Sequence, residues 1–81
     1  MSGYLLDTSA LLALRDDEPG AERVAMLLHN AASGGEVCHG CFISLMEVFY
    51  RVWKDEGEPA GRLAYRHCLA LPVHWHHESP S

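Results

Sequence analysis

The sequence predicts an α/β domain, a parallel sheet flanked by helices in the order βααβααβ. Three observations carry that reading. Strand-like stretches stand at Tyr4-Leu5-Leu6, from Glu36 to Ile43, and at Val73-His74-Trp75-His76. Between consecutive stretches lie two segments whose apolar residues recur every three or four positions, the spacing of an amphipathic helix. Strands separated by helical crossovers run parallel, and their connections are right-handed.

The first strand covers Tyr4 to Leu6, and a short helix follows from Ser9 to Leu14. Asp16-Asp17-Glu18-Pro19 reads as a helix start, with acids beside the positive end of the dipole and proline at the first helical position. The second helix carries Ala21, Val24, Ala25, Leu28 and Ala31 on one face and stops near Ser33-Gly34-Gly35. The second strand, Glu36 to Ile43, passes into a third helix with the stripe Leu45, Val48, Phe49, Val52 and Trp53. Gly57 ends that helix, and Glu58-Pro59 opens a fourth with Ala60, Leu63, Ala64, His67 and Leu71 on one face. Pro72 breaks it before the third strand. No linker or repeat divides the chain, so residues 1–81 read as one domain.

A chain of 81 residues has room for a small core and often needs a partner, a metal or a staple. Its 48% hydrophobic content and lack of a long polar tract argue against disorder. A net charge of −5 argues against a dedicated nucleic-acid binder, whose footprint is a basic patch. It leaves room for a nuclease, because metal-binding carboxylates are negative until the cation arrives. The three cysteines are an odd count, no basic leader precedes them, and Asp7 interrupts the first apolar run. No apolar stretch approaches the roughly 20 residues that span a bilayer. The expectation is a reduced, soluble, cytoplasmic protein with no membrane partner.

Two acids carry the functional signal. Asp7 ends the first strand, followed by Thr8-Ser9 and the helix; Glu47 stands one turn into the third helix, after Phe42-Ile43-Ser44. In a parallel α/β sheet, ligands bind in the crevice outside the carboxyl ends of the strands. Two carboxylates there suit magnesium or manganese, since magnesium takes one or two carboxylates together with waters and substrate phosphate oxygens. Such an ion activates water and neutralises charge on a reacting phosphate. Ser9 or Thr8 would orient Asp7 through a hydroxyl hydrogen bond. A plainer role stands beside each acid. Ser44-Leu45-Met46-Glu47 fits a capping box, and Asp7 fits an N-cap or Asx turn.

Taken together, Tyr4-Leu5-Leu6-Asp7-Thr8-Ser9-Ala10-Leu11-Leu12-Ala13-Leu14, Glu18-Pro19-Gly20-Ala21-Glu22 and Ile43-Ser44-Leu45-Met46-Glu47-Val48-Phe49-Tyr50 resemble the opening, second helix and second acidic motif of PIN domains, particularly VapC-type toxins of toxin–antitoxin pairs. The resemblance runs from the first strand to Pro72-Val73. It implies a magnesium- or manganese-dependent endoribonuclease with Asp7 and Glu47 among the metal-binding acids, an RNA substrate, a dimer, and a cognate antitoxin that blocks the cleft. Family members bring at least one further Asp to the cleft from a later helix and strand. Here Asp55, Glu56, Glu58 and Glu78 are read as turn or tail residues, and none matches that motif. The chain therefore resembles the N-terminal part of a PIN sandwich with an incomplete catalytic set. The expected consequences are weak or absent ribonuclease activity and self-association along the first strand. The alternative is a non-catalytic interaction module derived from the same domain.

Other features read more plainly. Cys38-His39-Gly40-Cys41 contains a CxxC, but residues three apart on a strand point to opposite faces, so ordinary buried cysteines are expected over a zinc or redox pair. The terminal histidines read as adventitious metal ligands, with His74 and His76 on one strand face; His67 reads as a half-buried, hydrogen-bonded residue, and His29 as an exposed one. Arg51, Lys54, Arg62 and Arg66 lie on the hairpin of the third and fourth helices, as a solvated face or a partner surface. Phe49, Tyr50 and Trp53 on the same hairpin are core residues or partner anchors. A haloacid-dehalogenase-type aspartyl-phosphate enzyme would need a second Asp two positions after Asp7, where Ser9 stands.

Overall fold

The computed structural model describes residues 3–77. Seven elements follow one another: β1 (Tyr4–Leu6), α1 (Thr8–Asp16), α2 (Ala21–Ala32), β2 (Cys38–Cys41), α3 (Phe42–Glu56), α4 (Glu58–Leu69) and β3 (Val73–His76). The strands form one parallel sheet in the order β1-β2-β3, with Leu6 beside Gly40, Cys38 beside Val73 and Gly40 beside Trp75. The predicted fold class and element order are those observed.

Strand alternation divides the sheet into two unlike faces. Leu6, Cys38 and Val73 pack with Val24 and Leu28 of α2, and with Ala10 and Leu14 of α1. On the same face Trp75 packs against the cluster of Leu11, Leu45, Val48, Val52, Ala64 and Cys68, contributed by α1, α3 and α4. All four helices therefore cover one side. Right-handed crossovers between strands laid down in sequence order require this. The other face carries Leu5, half exposed at 51%, together with His39, His74 and His76. Parallel sheets normally have both faces buried; here the second face stays open among the described residues.

Several boundaries differ from the sequence expectation. α1 runs on to Asp16 and ends at Asp17, a non-glycine residue in the left-handed region (φ 53°), a conformation that Asp tolerates. The acidic stretch is thus a helix end, and α2 begins later, at Ala21 after Gly20. β2 is four residues long, because Phe42 and Ile43 already belong to α3. The N-cap of α3 is Cys41, which leaves Ser44 as the third helical residue and rules it out as the cap of a capping box. α4 stops at Leu69.

The buried face of α4 is also rotated from the expected one. Gly61, Ala64 and Cys68 are buried, whereas Leu63 and His67 are exposed. A Cβ added at Gly61 would lie 3.0 Å from the Phe49 carbonyl oxygen and 3.0 Å from Trp53 Cβ. Small side chains let α4 settle closely onto α3, so the tight seam selects them over leucine. Phe49 closes the seam edge-on to Trp53 and Tyr65, while Tyr50 stays exposed.

Arg15 ties the end of α1 to the end of α3. Its guanidinium donates to Glu56 through Nη1 at 2.8 Å and Nη2 at 2.9 Å, and to Asp16 at 2.7 Å. The hydrogen bonds and charge of Arg15 hold the Glu56 carboxyl below its ordinary range. A depressed folded-state value stabilises above the ordinary carboxylate range and loses that effect as pH falls through the depressed value. Thermal melts from pH 6 to 3 should therefore fall less steeply in Glu56→Gln than in the parent. Both groups are solvent-accessible, so the difference should be small; parallel curves would contradict it.

Candidate active site

The sheet register places the two sequence-predicted elements together. Leu6 pairs with Gly40, so the next residues, Asp7 and Cys41, stand side by side at the carboxyl edge. α1 and α3 both begin there, with their N-terminal dipole ends at the same rim.

Asp7 is the N-cap of α1. Its backbone is extended (φ −92°, ψ −179°), and its Oδ1 accepts the Ala10 N–H at 2.9 Å. The bond satisfies an orphan donor and fixes the carboxylate at the positive end of the helix. Capping occupies Oδ1; Oδ2 is the oxygen a cation would take. Thr8 and Ser9 are the first and second residues of α1, Thr8 half-buried and Ser9 exposed beside the cap.

Glu47 is the sixth residue of α3 and is exposed. A rise of 1.5 Å per residue sets it about 7–8 Å up the axis from the helix start. It lines an open groove with Phe42, Ile43, Met46, Tyr50 and Arg51, all from α3. The fold thus brings the helices carrying both acids to one edge. Among the described residues, no group of three or more His, Cys, Asp or Glu side chains is arranged to hold a metal ion. The donor set suits a hard cation nonetheless, since magnesium needs only one or two carboxylates.

The later acids that the structure describes lie on α3 and α4, away from the start of α1. Asp55 and Glu56 end α3 rather than lying in a turn, and Glu56 is bound by Arg15. Glu58 opens α4 and accepts Arg62 at 2.7 Å, an i,i+4 pair. Glu78 lies outside the described residues. All three cysteines are buried and unbridged. The Cys38 Sγ–H donates to the Leu27 carbonyl at 3.6 Å, and burial pushes the Cys38 and Cys68 thiols up. Both are protonated at neutral pH and are poor nucleophiles. Histidines gather on the open sheet face, His39 with His74 and His76. Alternation along β3 was enough to group the last two, but only the β2–β3 register adds His39. No helix among the described residues is long and apolar enough to cross a membrane.

Compared with known families, residues 4–74 match the PIN domain. No curated protein and no solved structure matches the chain. The match runs from the start of β1 into β3 and takes in all four helices, Asp7 and Glu47, and the chain belongs to the PIN domain family.

Proposed function

We propose that the chain is a divalent-metal-dependent endoribonuclease of the toxin class, VapC-like, in which Asp7 and Glu47 hold magnesium or manganese. The observation that carries this reading is the shared sheet edge: α1 and α3 begin side by side, with Asp7 as the N-cap of α1 and Glu47 in the second turn of α3. The PIN fold is a nuclease-type fold, and a carboxylate at a strand end with a second one in the second turn of the neighbouring helix fits its metal requirement. When bound, the cation supplies Lewis-acid neutralisation of charge on the scissile phosphate. Asp7 is held by its own cap, so it presents Oδ2 without a further ordering cost. Ser9, two residues after Asp7, would orient the carboxylate through its hydroxyl. Backbone N–H groups at the two helix starts favour an approaching phosphate.

Activity of these residues by themselves should be weak, because no later acid joins Asp7 and Glu47 among the described residues. The test is cleavage of a fluorescent RNA in magnesium or manganese. Slow cleavage that falls at least tenfold in both Asp7→Asn and Glu47→Gln is expected. Cleavage unchanged in either variant would remove that acid from the site. Magnesium titration read by the carboxyl carbon signals of Asp7 and Glu47 gives a second readout, and unmoved signals would count against binding.

A cognate antitoxin, a second copy of the chain and a cytoplasmic setting belong to the same proposal. β1 is an edge strand with Leu5 exposed, a surface that invites another strand. Light scattering should give a mass above that of one chain; a single-chain mass across a tenfold dilution would refute self-association.

A second reading, a non-catalytic interaction module, rests on the outer face of α3. Ile43, Met46, Tyr50 and Trp53 recur there at spacings of three and four and are all exposed. RNA cleavage lost in Asp7→Asn would reject that reading.

A further inference from the structure

The open face of the sheet carries a histidine cluster for which the nuclease reading has no use. The β2–β3 register sets His39 beside His74, and strand alternation brings His76 to the same face two residues on. The His39 ring centroid lies 5.8 Å from that of His74 and 5.1 Å from that of His76. His39 Nδ1 and His76 Nε2 are 2.8 Å apart. At that separation one nitrogen carries a proton and the other accepts it.

Two imidazole nitrogens facing each other at this distance also become half of a transition-metal site once both rings turn their lone pairs toward a common ion. A tetrahedral ion with Zn–N bonds of 2.0–2.1 Å would hold the nitrogens about 3.3 Å apart, roughly half an ångström wider than the hydrogen bond. Small side-chain rotations cover that difference. We propose that His39 and His76 bind one borderline transition-metal ion of the zinc class, with His74 turning in as the third ligand. Binding moves the shared proton through solvent to the other nitrogen of the donor ring, so both rings stay neutral, and water completes the coordination. The all-nitrogen donor set favours zinc, nickel or copper and discriminates against magnesium, whose preferred ligands are oxygens. This site is therefore chemically separate from the carboxylate edge and stands independently of the nuclease reading. No three side chains are arranged for an ion beforehand among the described residues, so the metal recruits the third ligand. Because His39 belongs to β2 and His76 to β3, the ion would staple the outer strand to the central one.

The experiment adds zinc to the metal-free 81-residue chain and follows calorimetric binding, melting temperature and histidine ring 15N signals. One equivalent is expected to bind, the melting temperature to rise, and the ring nitrogens of His39 and His76 to shift together. Magnesium at the same concentration should leave those signals in place. His39→Gln and His76→Gln should each weaken zinc binding at least tenfold, and His74→Gln should weaken it less. His29→Gln, on the far helix α2, should bind like the parent. Absence of stoichiometric binding, or binding that survives His39→Gln/His76→Gln, would overturn the proposal. The ring signals of the parent chain decide the matter even where a variant folds poorly.

Discussion

Leu45→Ala is expected to destabilise the domain by about 2–5 kcal/mol, the range for deleting a large aliphatic side chain from a packed core. Leu45 is 0% exposed and lies in one cluster with Leu11, Val48, Val52, Ala64 and Cys68, where three helices converge. Its neighbours come from different elements, so none can fill the void without disturbing another. A domain of this length has a total stability of about 4–12 kcal/mol. One substitution therefore removes a large share of it. Urea unfolding followed by circular dichroism should show a lower midpoint at unchanged slope. Met46→Ala, one residue along and half exposed, should stay within about 0.5 kcal/mol of the parent. Equal losses in the two variants would mean that the inner face of α3 is assigned wrongly.

Gly40→Ala should be the next most damaging change, although alanine suits most strands better than glycine. Gly40 lies in the middle of β2, and a Cβ there would stand 2.5 Å from Trp75 Cζ3 and 2.8 Å from Cε3. The indole lies across the glycine on the helix-covered face, so added bulk must displace a large side chain. Such overpacking costs about 1–3 kcal/mol. Trp75→Leu removes the obstructing ring, so Gly40→Ala should cost far less in that background. The resulting coupling, about 0.5–3 kcal/mol for residues in contact, is measurable by a double-mutant cycle. Additive effects would place the strain elsewhere. The buried Trp75 Nε1 has no hydrogen-bond partner among the described residues, so Trp75 is held by its ring contacts.

The sequence declared β1 and β3 cleanly, because each is an isolated run bounded by turn residues. The end of β2 was illegible. Phe42 and Ile43 continue its apolar character, and the N-cap of α3, Cys41, makes no side-chain hydrogen bond to announce the helix. The capping-box pattern at Ser44 lies inside the helix instead. On α4, hydropathy favoured Leu63 and His67, but the close approach to α3 favours Gly61, Ala64 and Cys68. Spacing alone put Asp7 at a strand end before a helix, and its capping bond was among the readings the sequence offered. Whether Asp7 also holds a cation depends on side-chain placement, which no linear pattern encodes. The His39 contact with His76 was hidden for a related reason: it depends on how two distant strands, Cys38 and Gly40 against Val73 and Trp75, align.

Spatial strand order and chain order coincide in this sheet. Each strand–helix–helix segment can dock on the segment already in position, and no later strand has to wedge between two earlier ones. Assembly can therefore advance in the direction of synthesis, with loop closure confined to neighbouring segments. A nascent chain emerging from the ribosome would meet its nearest template first.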